Sequence, residues 1–300
     1  MRTQKRLGKG LEDISSVFLG SSKSPDAEKP FQPVQKDNYR QIPSRRICII
    51  GIDNQSYQDF YLIYYLANTL SQLGIRIAIV DLNDNLLMTK YLKQSRSIKV
   101  GSSQFSSNIF DNRIGVKFIA FDRNIYDNET NIPKNDQLIT ELIEIESKAD
   151  LLLLHTDVPS FYTLIPKLKQ SVRDFLITHP PEKNKLINSY KTIKNIYWNI
   201  PQAKIGMIVS SVNYFYEMDI SYKKISHAVR KYLKRDIFKY GFLFRISEKN
   251  HSTELNSQDM DSNWVDCLSN IAQNIIFRLK SDQVGIPQDS FFKRMLSLQK

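Results

Sequence analysis

Residues 46–81 read RICIIGIDNQSYQDFYLIYYLANTLSQLGIRIAIVD, and this stretch decides the fold. An apolar run at 46–51 is followed by a polar turn, an amphipathic helix near 58–73, Gly74 and a second apolar run at 75–81. This order is typical of a βαβ unit in which the first turn binds phosphate. The chain therefore begins its main domain as nucleotide-binding α/β proteins do.

The first turn nevertheless lacks the residues that phosphate binding requires. A phosphate loop uses glycines whose N–H groups close on the anion, a Lys for the outer phosphates and a Ser or Thr hydroxyl for magnesium. Only Gly51 remains here, Asp53 and Asp59 bring negative charge, and Phe60 stands where the hydroxyl belongs. We predict that the layout of the unit is kept while its chemistry is lost.

The alternation of strands and helices continues along the chain. We predict further strands at 116–121, 150–155, 173–178, 204–210 and 240–246, and helices near 135–147, 160–170, 183–198, 221–235 and 262–280. This order predicts an α/β fold with three layers and a doubly wound, mostly parallel sheet. The length of 300 residues favours one large domain, which we place at 46–284.

Two appendages are predicted before this domain. Residues 21–45 are rich in Ser, Pro and charge, which indicates a flexible linker. Residues 1–20 form an amphipathic helix whose apolar side chains recur at helical spacing, namely Leu7, Leu11, Ile14 and Phe18. This helix either docks on its own domain or contacts a protein partner, and the two alternatives are about equally favoured.

A second amphipathic helix is predicted at 285–300. Phe291, Phe292, Met295 and Leu296 lie mainly on one side of it, and Lys293 and Arg294 on the other. Aromatic residues opposite basic ones suit an anionic membrane interface. The alternative is a terminal helix packed on the core.

The net charge of +11 is unevenly distributed. The segment from Lys183 to Arg245 contains thirteen Lys and Arg residues and three acidic residues. This excess of positive charge suits an anionic partner such as nucleic acid or an acidic lipid surface. The two cysteines, Cys48 and Cys267, match neither a disulfide framework nor a metal-binding pattern. No apolar run approaches the ~20 residues of a membrane span, so we expect a cytoplasmic protein.

Four segments after the first strand add a resemblance to a known family. They are LANTLSQLGIRIAIVD at 66–81, ADLLLLHTDVP at 149–159, FLITHPPE at 175–182 and KIGMIVSS at 204–211. In this order, over about residues 46–245, the chain resembles the MinD/ParA family of P-loop ATPases and its FlhG/MinD branch. The resemblance implies a P-loop NTPase fold and a role in the spatial placement of a partner at the inner face of the cytoplasmic membrane.

The resemblance also locates a degenerate nucleotide site. When the chain is aligned with the family, the family's signature Lys falls on Asn54. The family's phosphate-binding Lys falls on Asp59 and its magnesium-binding Thr on Phe60. The Walker B Asp becomes His155 and the adenine-contacting Asn becomes Ser210, while Asp81 keeps the family's acidic residue. With Gly51 and Ser56 these residues make up the predicted site.

These departures predict a regulatory or scaffold protein without catalysis. Hydrolysis in the family relies on lysines and Mg²⁺ to neutralise phosphate charge, so we expect no cofactor unless Gln55, Ser56 and Asp81 rebuild a site for ATP and Mg²⁺. The alternatives are an ATP-binding switch and a non-specific DNA-binding organiser that uses the basic face. Family members dimerise across ATP, so a homodimer and a monomer both stay open. His155 and His179 end strands at the same sheet edge, and a structural role is favoured for both over a metal site.

Overall fold

The computed structural model describes residues 45–52, 57–83, 97–100, 107–111, 116–120, 136–169, 171–246, 262–281 and 290–292. All of them belong to one compact unit, residues 39–300. The predicted N-terminal helix with Leu7, Leu11, Ile14 and Phe18 lies outside the described residues, as does nearly all of the predicted linker. Those two assignments stay predictions.

The described residues form nine strands and six α-helices. The strands are β1 (Arg45–Gly51), β2 (Ile77–Asp81), β3 (Ser97–Val100), β4 (Ser107–Asp111), β5 (Lys117–Ala120), β6 (Leu151–Asp157), β7 (Asp174–His179), β8 (Lys204–Val212) and β9 (Phe238–Phe244). The helices are α1 (Tyr57–Gln72), α2 (Asp136–Lys148), α3 (Val158–Leu168), α4 (Lys183–Asn199), α5 (Phe215–Ala228) and α6 (Ser262–Ser281), and a π-helical turn, Val229–Leu233, continues α5.

The strands make one sheet in the order β3-β4-β5-β2-β6-β1-β7-β8-β9. The strands from β5 to β9 in this order run parallel, and β4 and β3 continue the sheet antiparallel at one edge. Every residue of β1 and β2 is buried, as expected for strands that helices cover on both faces. The predicted mostly parallel α/β sheet is confirmed.

Helices cover the sheet on both faces. Side chains alternate along a strand, so Cys48 and Ile50 of β1 pack on one side with α2, α3, α4 and α5. Ile47 and Ile49 of β1 pack on the other side with α1 and α6. The two cores make the three layers that the sequence predicts. No helix among the described residues is long and apolar enough to cross a membrane.

The end of the chain is packed into the first of these cores. Phe291 and Phe292 are 0% and 1% exposed. The carboxylate of Glu146 on α2 accepts hydrogen bonds from the Phe291 N–H at 2.9 Å and from the Ser290 hydroxyl at 2.6 Å. Arg46 of β1 pairs with the same carboxylate at 2.9 Å. The Glu146 carboxylate, held in place by Arg46, therefore fixes residues 290–292 on the domain.

The prediction that Phe291 and Phe292 contact a membrane is therefore wrong for this conformation. Their rings fill the core beside α2, where the alternative interpretation of a packed terminal helix places them. The remaining members of the predicted membrane face, Lys293, Arg294, Met295 and Leu296, lie outside the described residues.

Candidate functional site

The carboxyl ends of β1, β2, β6 and β7 meet at one edge of the sheet. Gly51 pairs with Asp157 on β6 and with Thr178 on β7, and Asp81 pairs with His155. Open α/β sheets bind their ligands outside this edge. The fold thus brings Gly51, Asp81 and His155 of the predicted site together.

Asp59 lies against the carboxyl ends of β1 and β7. It lies in the first turn of α1 and is buried, with 6% of its surface exposed. The Thr178 hydroxyl donates a hydrogen bond of 2.6 Å to its Oδ1. A Cβ at Gly51 would overlap its Oδ2, so glycine is required there by the close approach of the carboxylate. The carboxylate also gains from its position at the N-terminal end of α1.

This arrangement places a carboxylate where the fold would otherwise receive an anion. The start of the helix after the first strand is the usual anion site of such folds, because free N–H groups and the helix dipole favour negative charge there. Two unit charges 4 Å apart near a protein surface repel each other by about 4 kcal/mol. The Asp59 carboxylate therefore opposes the binding of a triphosphate.

Asp81, Asn83 and His155 form a second network beside it, in which Asp81 Oδ2 is buried without a hydrogen-bond partner among the described residues. Asn83 Oδ1 accepts from the Asp157 N–H, which leaves the Asn83 amide nitrogen to donate to His155 Nδ1 at 2.8 Å. A neutral His155 ring then carries its proton on Nε2. Asp81 Oδ1 accepts from the Asn83 N–H at 3.1 Å and lies 3.4 Å from His155 Nδ1.

These contacts engage His155 with Asn83 at the position that the resemblance aligns with the family's Walker B carboxylate. His155 is 4% exposed. The part of the chain that the structure describes holds no group of three or more His, Cys, Asp or Glu side chains that could bind a metal ion. Asp157 is engaged as the N-cap of α3, where its side chain accepts from the Ser160 N–H at 2.8 Å.

His179 is a buried histidine at the end of β7. Ser189 Oγ donates to the Lys185 carbonyl, so it accepts from His179 Nδ1, which lies 2.8 Å away. Burial lowers the pKa of His179 to about 4, because the imidazolium would lose its hydration. The contact with a helix residue supports the structural role predicted for this side chain.

The other predicted site residues lie away from this network or outside the described residues. Phe60 is buried in the core under α1, so an apolar ring stands at the position aligned with the family's magnesium-binding Thr. Ser210 is buried near the end of β8, next to Ser211, which has a left-handed φ of 57°. Asn54 and Ser56 lie outside the described residues.

Sequence reasoning missed two features of this edge. Thr178 lies within the quoted segment 175–182 without a role predicted for it, whereas its hydroxyl donates a hydrogen bond to Asp59. Tyr214, Phe215 and Tyr216 follow β8 and are exposed, with the rings of Tyr214 and Tyr216 stacked 5.6 Å apart. Three consecutive aromatic residues after Ser210 and Ser211 are the signal that could have located this cluster.

The fold and the position of the edge define a doubly wound, mostly parallel α/β protein. Its structural neighbours include MinD and ParA proteins: the MinC:MinD cell division protein complex of Aquifex aeolicus has a TM-score of 0.54 at 14% identity, over 81% of this chain and 98% of that one. A plasmid partition protein from Borrelia burgdorferi B31 bound to AMPPNP has a TM-score of 0.53 at 14% identity, over 79% and 99%.

A structure of pNOB8 ParA bound to nonspecific DNA matches with a TM-score of 0.54 at 12% identity, over 80% of this chain and 100% of that one. No family model and no curated protein sequence matches the chain. The likeness to these structures establishes that the chain has the MinD/ParA-like fold.

Replacing Gly51 by Ala tests the packing of the Asp59 carboxylate. The added methyl group would overlap Asp59 Oδ2, so we expect a loss of roughly 1–3 kcal/mol in the free energy of unfolding, measured by urea denaturation. The same substitution in an Asp59→Ala background should cost clearly less, because the overlapping group is gone. Equal costs in the two backgrounds would contradict the placement of Asp59.

The depressed pKa of His179 predicts acid sensitivity. Between about pH 6.5 and pH 4 the unfolded state binds a proton that the folded state excludes, so stability is present above this window and is lost as the pH falls through it. The contribution is roughly 3 kcal/mol. Urea denaturation of His179→Gln should show a flatter pH profile than the wild type, whereas exposed His227→Gln should keep the wild-type slope. Parallel profiles for all three proteins would refute the assignment.

Proposed function

We propose that this protein is a non-catalytic, MinD/ParA-like regulatory or scaffold protein that acts in the spatial placement of a partner. The observation that carries the proposal is the buried Asp59 carboxylate, held between Gly51 and the Thr178 hydroxyl at the anion-binding end of α1. The site is filled by a side chain of the protein itself. A nucleotide would have to displace a buried, hydrogen-bonded charge before its phosphates could enter.

The metal side of the site supports the same proposal. Phosphoryl transfer depends on Mg²⁺ to neutralise the developing charge, and carboxylate and hydroxyl oxygens usually hold that ion. Here His155 and Asn83 are bonded to each other beside Asp81. The side chains next to Asp81 are thus engaged in internal contacts, as is the Asp59 carboxylate at the start of α1.

An ATP-binding switch is the competing function, and it requires a different arrangement of the site. It requires Asp59 to leave its position and residues 53–56 to supply backbone N–H groups to the phosphates. It also requires Asp81 to exchange His155 for a metal ion. The neighbouring partition protein from Borrelia burgdorferi is bound to AMPPNP, which makes that protein a suitable positive control.

Titration calorimetry with Mg-ATP, Mg-ADP and Mg-AMPPNP separates the two functions. We expect no saturable heat for this protein up to millimolar nucleotide, and no shift in its melting temperature, because like charges oppose binding. The partition protein should bind AMPPNP under the same conditions. Micromolar binding by the wild-type chain would overturn the proposal.

Two parts of the proposal depend on residues outside the described ones. The surface for a protein partner is formed by Leu7, Leu11, Ile14 and Phe18, so removing residues 1–20 should abolish complex formation while the domain still folds.

A peripheral position at the inner membrane face rests on Lys293, Arg294, Met295 and Leu296, since Phe291 and Phe292 are buried. Removing residues 293–300 should abolish sedimentation with anionic liposomes, and unchanged sedimentation would reject this part.

A further inference from the structure

A row of exposed side chains runs along the outer face of α4. Ile187, Lys191, Lys194 and Trp198 follow one another at spacings of four, three and four residues, which places them on one side of the helix. Trp198 is 80% exposed. The opposite side of α4 is already anchored in the core through Ile193 and Ile196. Packing of the helix therefore gives no reason for an apolar ring of this size in water.

The π-helical turn after α5 adds a second exposed ring beside α4. Tyr232 is 65% exposed and contacts Tyr190 of α4 edge-on, with ring centroids 6.5 Å apart. Lys231 Nζ lies 5.3 Å from the centre of the Tyr232 ring. Lys234 caps the carboxyl end of this turn in a left-handed conformation with φ of 54°, a common way for a helix to end.

We call the exposed set Lys191, Lys194, Trp198, Lys231, Tyr232 and Lys234 the basic–aromatic surface. Its four lysines have no carboxylate within ion-pair distance among the described residues. The nearest acidic residue in sequence, Asp236, is paired with Arg230 at 2.7 Å. The positive charge of this surface is thus uncompensated, which suits a polyanion.

The exposed aromatic rings among the lysines of the basic–aromatic surface favour one class of polyanion over the others. In a duplex the bases are stacked inside, so exposed Trp and Tyr faces have nothing to stack on, whereas a single strand offers both phosphates and free base faces. Lipid insertion needs a continuous apolar strip, and here Lys191 and Lys194 interrupt the row between Ile187 and Trp198. We infer that the basic–aromatic surface binds single-stranded nucleic acid, with the bases stacked on Trp198 and Tyr232 and the phosphates bound by the four lysines. This inference does not depend on the state of the nucleotide site.

Fluorescence anisotropy on the full chain tests the inference with a labelled single strand of about twenty thymidines and a duplex of the same length. We expect the single strand to bind more tightly than the duplex, and Trp198→Ala and Tyr232→Ala each to weaken it roughly tenfold. Phe277→Ala is the matched control, because Phe277 is 75% exposed on α6, which covers the other face of the sheet. Four phosphate contacts predict a slope of roughly −3 in log K against log salt, reduced in Lys191→Glu/Lys194→Glu.

The two tryptophans of the chain provide an independent readout. Trp264 is buried and its indole N–H donates to the Phe244 carbonyl at 2.8 Å, so only Trp198 can stack with an added base. Unlabelled single strand should quench the emission of the wild type and leave that of Trp198→Phe unchanged.

Three outcomes would overturn the inference. The first is equal affinity of Trp198→Ala, Tyr232→Ala and the wild type for the single strand. The second is equal or tighter binding of the duplex, which would indicate contacts to phosphate alone. The third is binding to anionic vesicles with no binding to either oligonucleotide. All of these substitutions are at exposed positions, so the variants should fold.

Discussion

The buried carboxylate of Asp59 is the constraint on which the carboxyl edge of the sheet depends. A charge with 6% of its surface exposed needs partners, and it has the Thr178 hydroxyl and the N-terminal end of α1. Its closeness to Gly51 excludes any larger residue at the end of β1. Strand β1, helix α1 and strand β7 are therefore tied together by one side chain, at the point where related folds leave room for phosphate.

The sequence predicted the sheet well because its main strands are short apolar runs between turns. All seven parallel strands and all six helices lie at or near their predicted positions. The antiparallel pair β3 and β4 was missed, since Ser97–Val100 and Ser107–Asp111 are short and partly polar and no continuous apolar run marks them. The first turn of α5 was also missed, because Phe215 and its aromatic neighbours are exposed and show no helical periodicity.

The site was predictable in its charges and not in its contacts. That Asp59 opposes phosphate follows from the residue type, whereas its bond to Thr178, 119 residues away, is set by the pairing of β1 with β7. The error at Phe291 and Phe292 has the same origin. An amphipathic helix offers the same apolar face to a membrane and to a core, and Glu146, 145 residues before Phe291, decides between them.

The proposed function changes what can control this fold. A ligand shifts an equilibrium between two states only as far as its affinities for them differ, so a nucleotide that does not bind cannot drive a conformational switch. The surfaces of such a protein, including the exposed rings on α4 and the π-helical turn, are then available regardless of the ATP concentration. In the proposed function, control comes from binding partners that differ in their affinity for two states of the protein, or from the amount of protein present. The two packed cores hold the exposed surfaces in place, and the Asp59 carboxylate ties β1, α1 and β7 together.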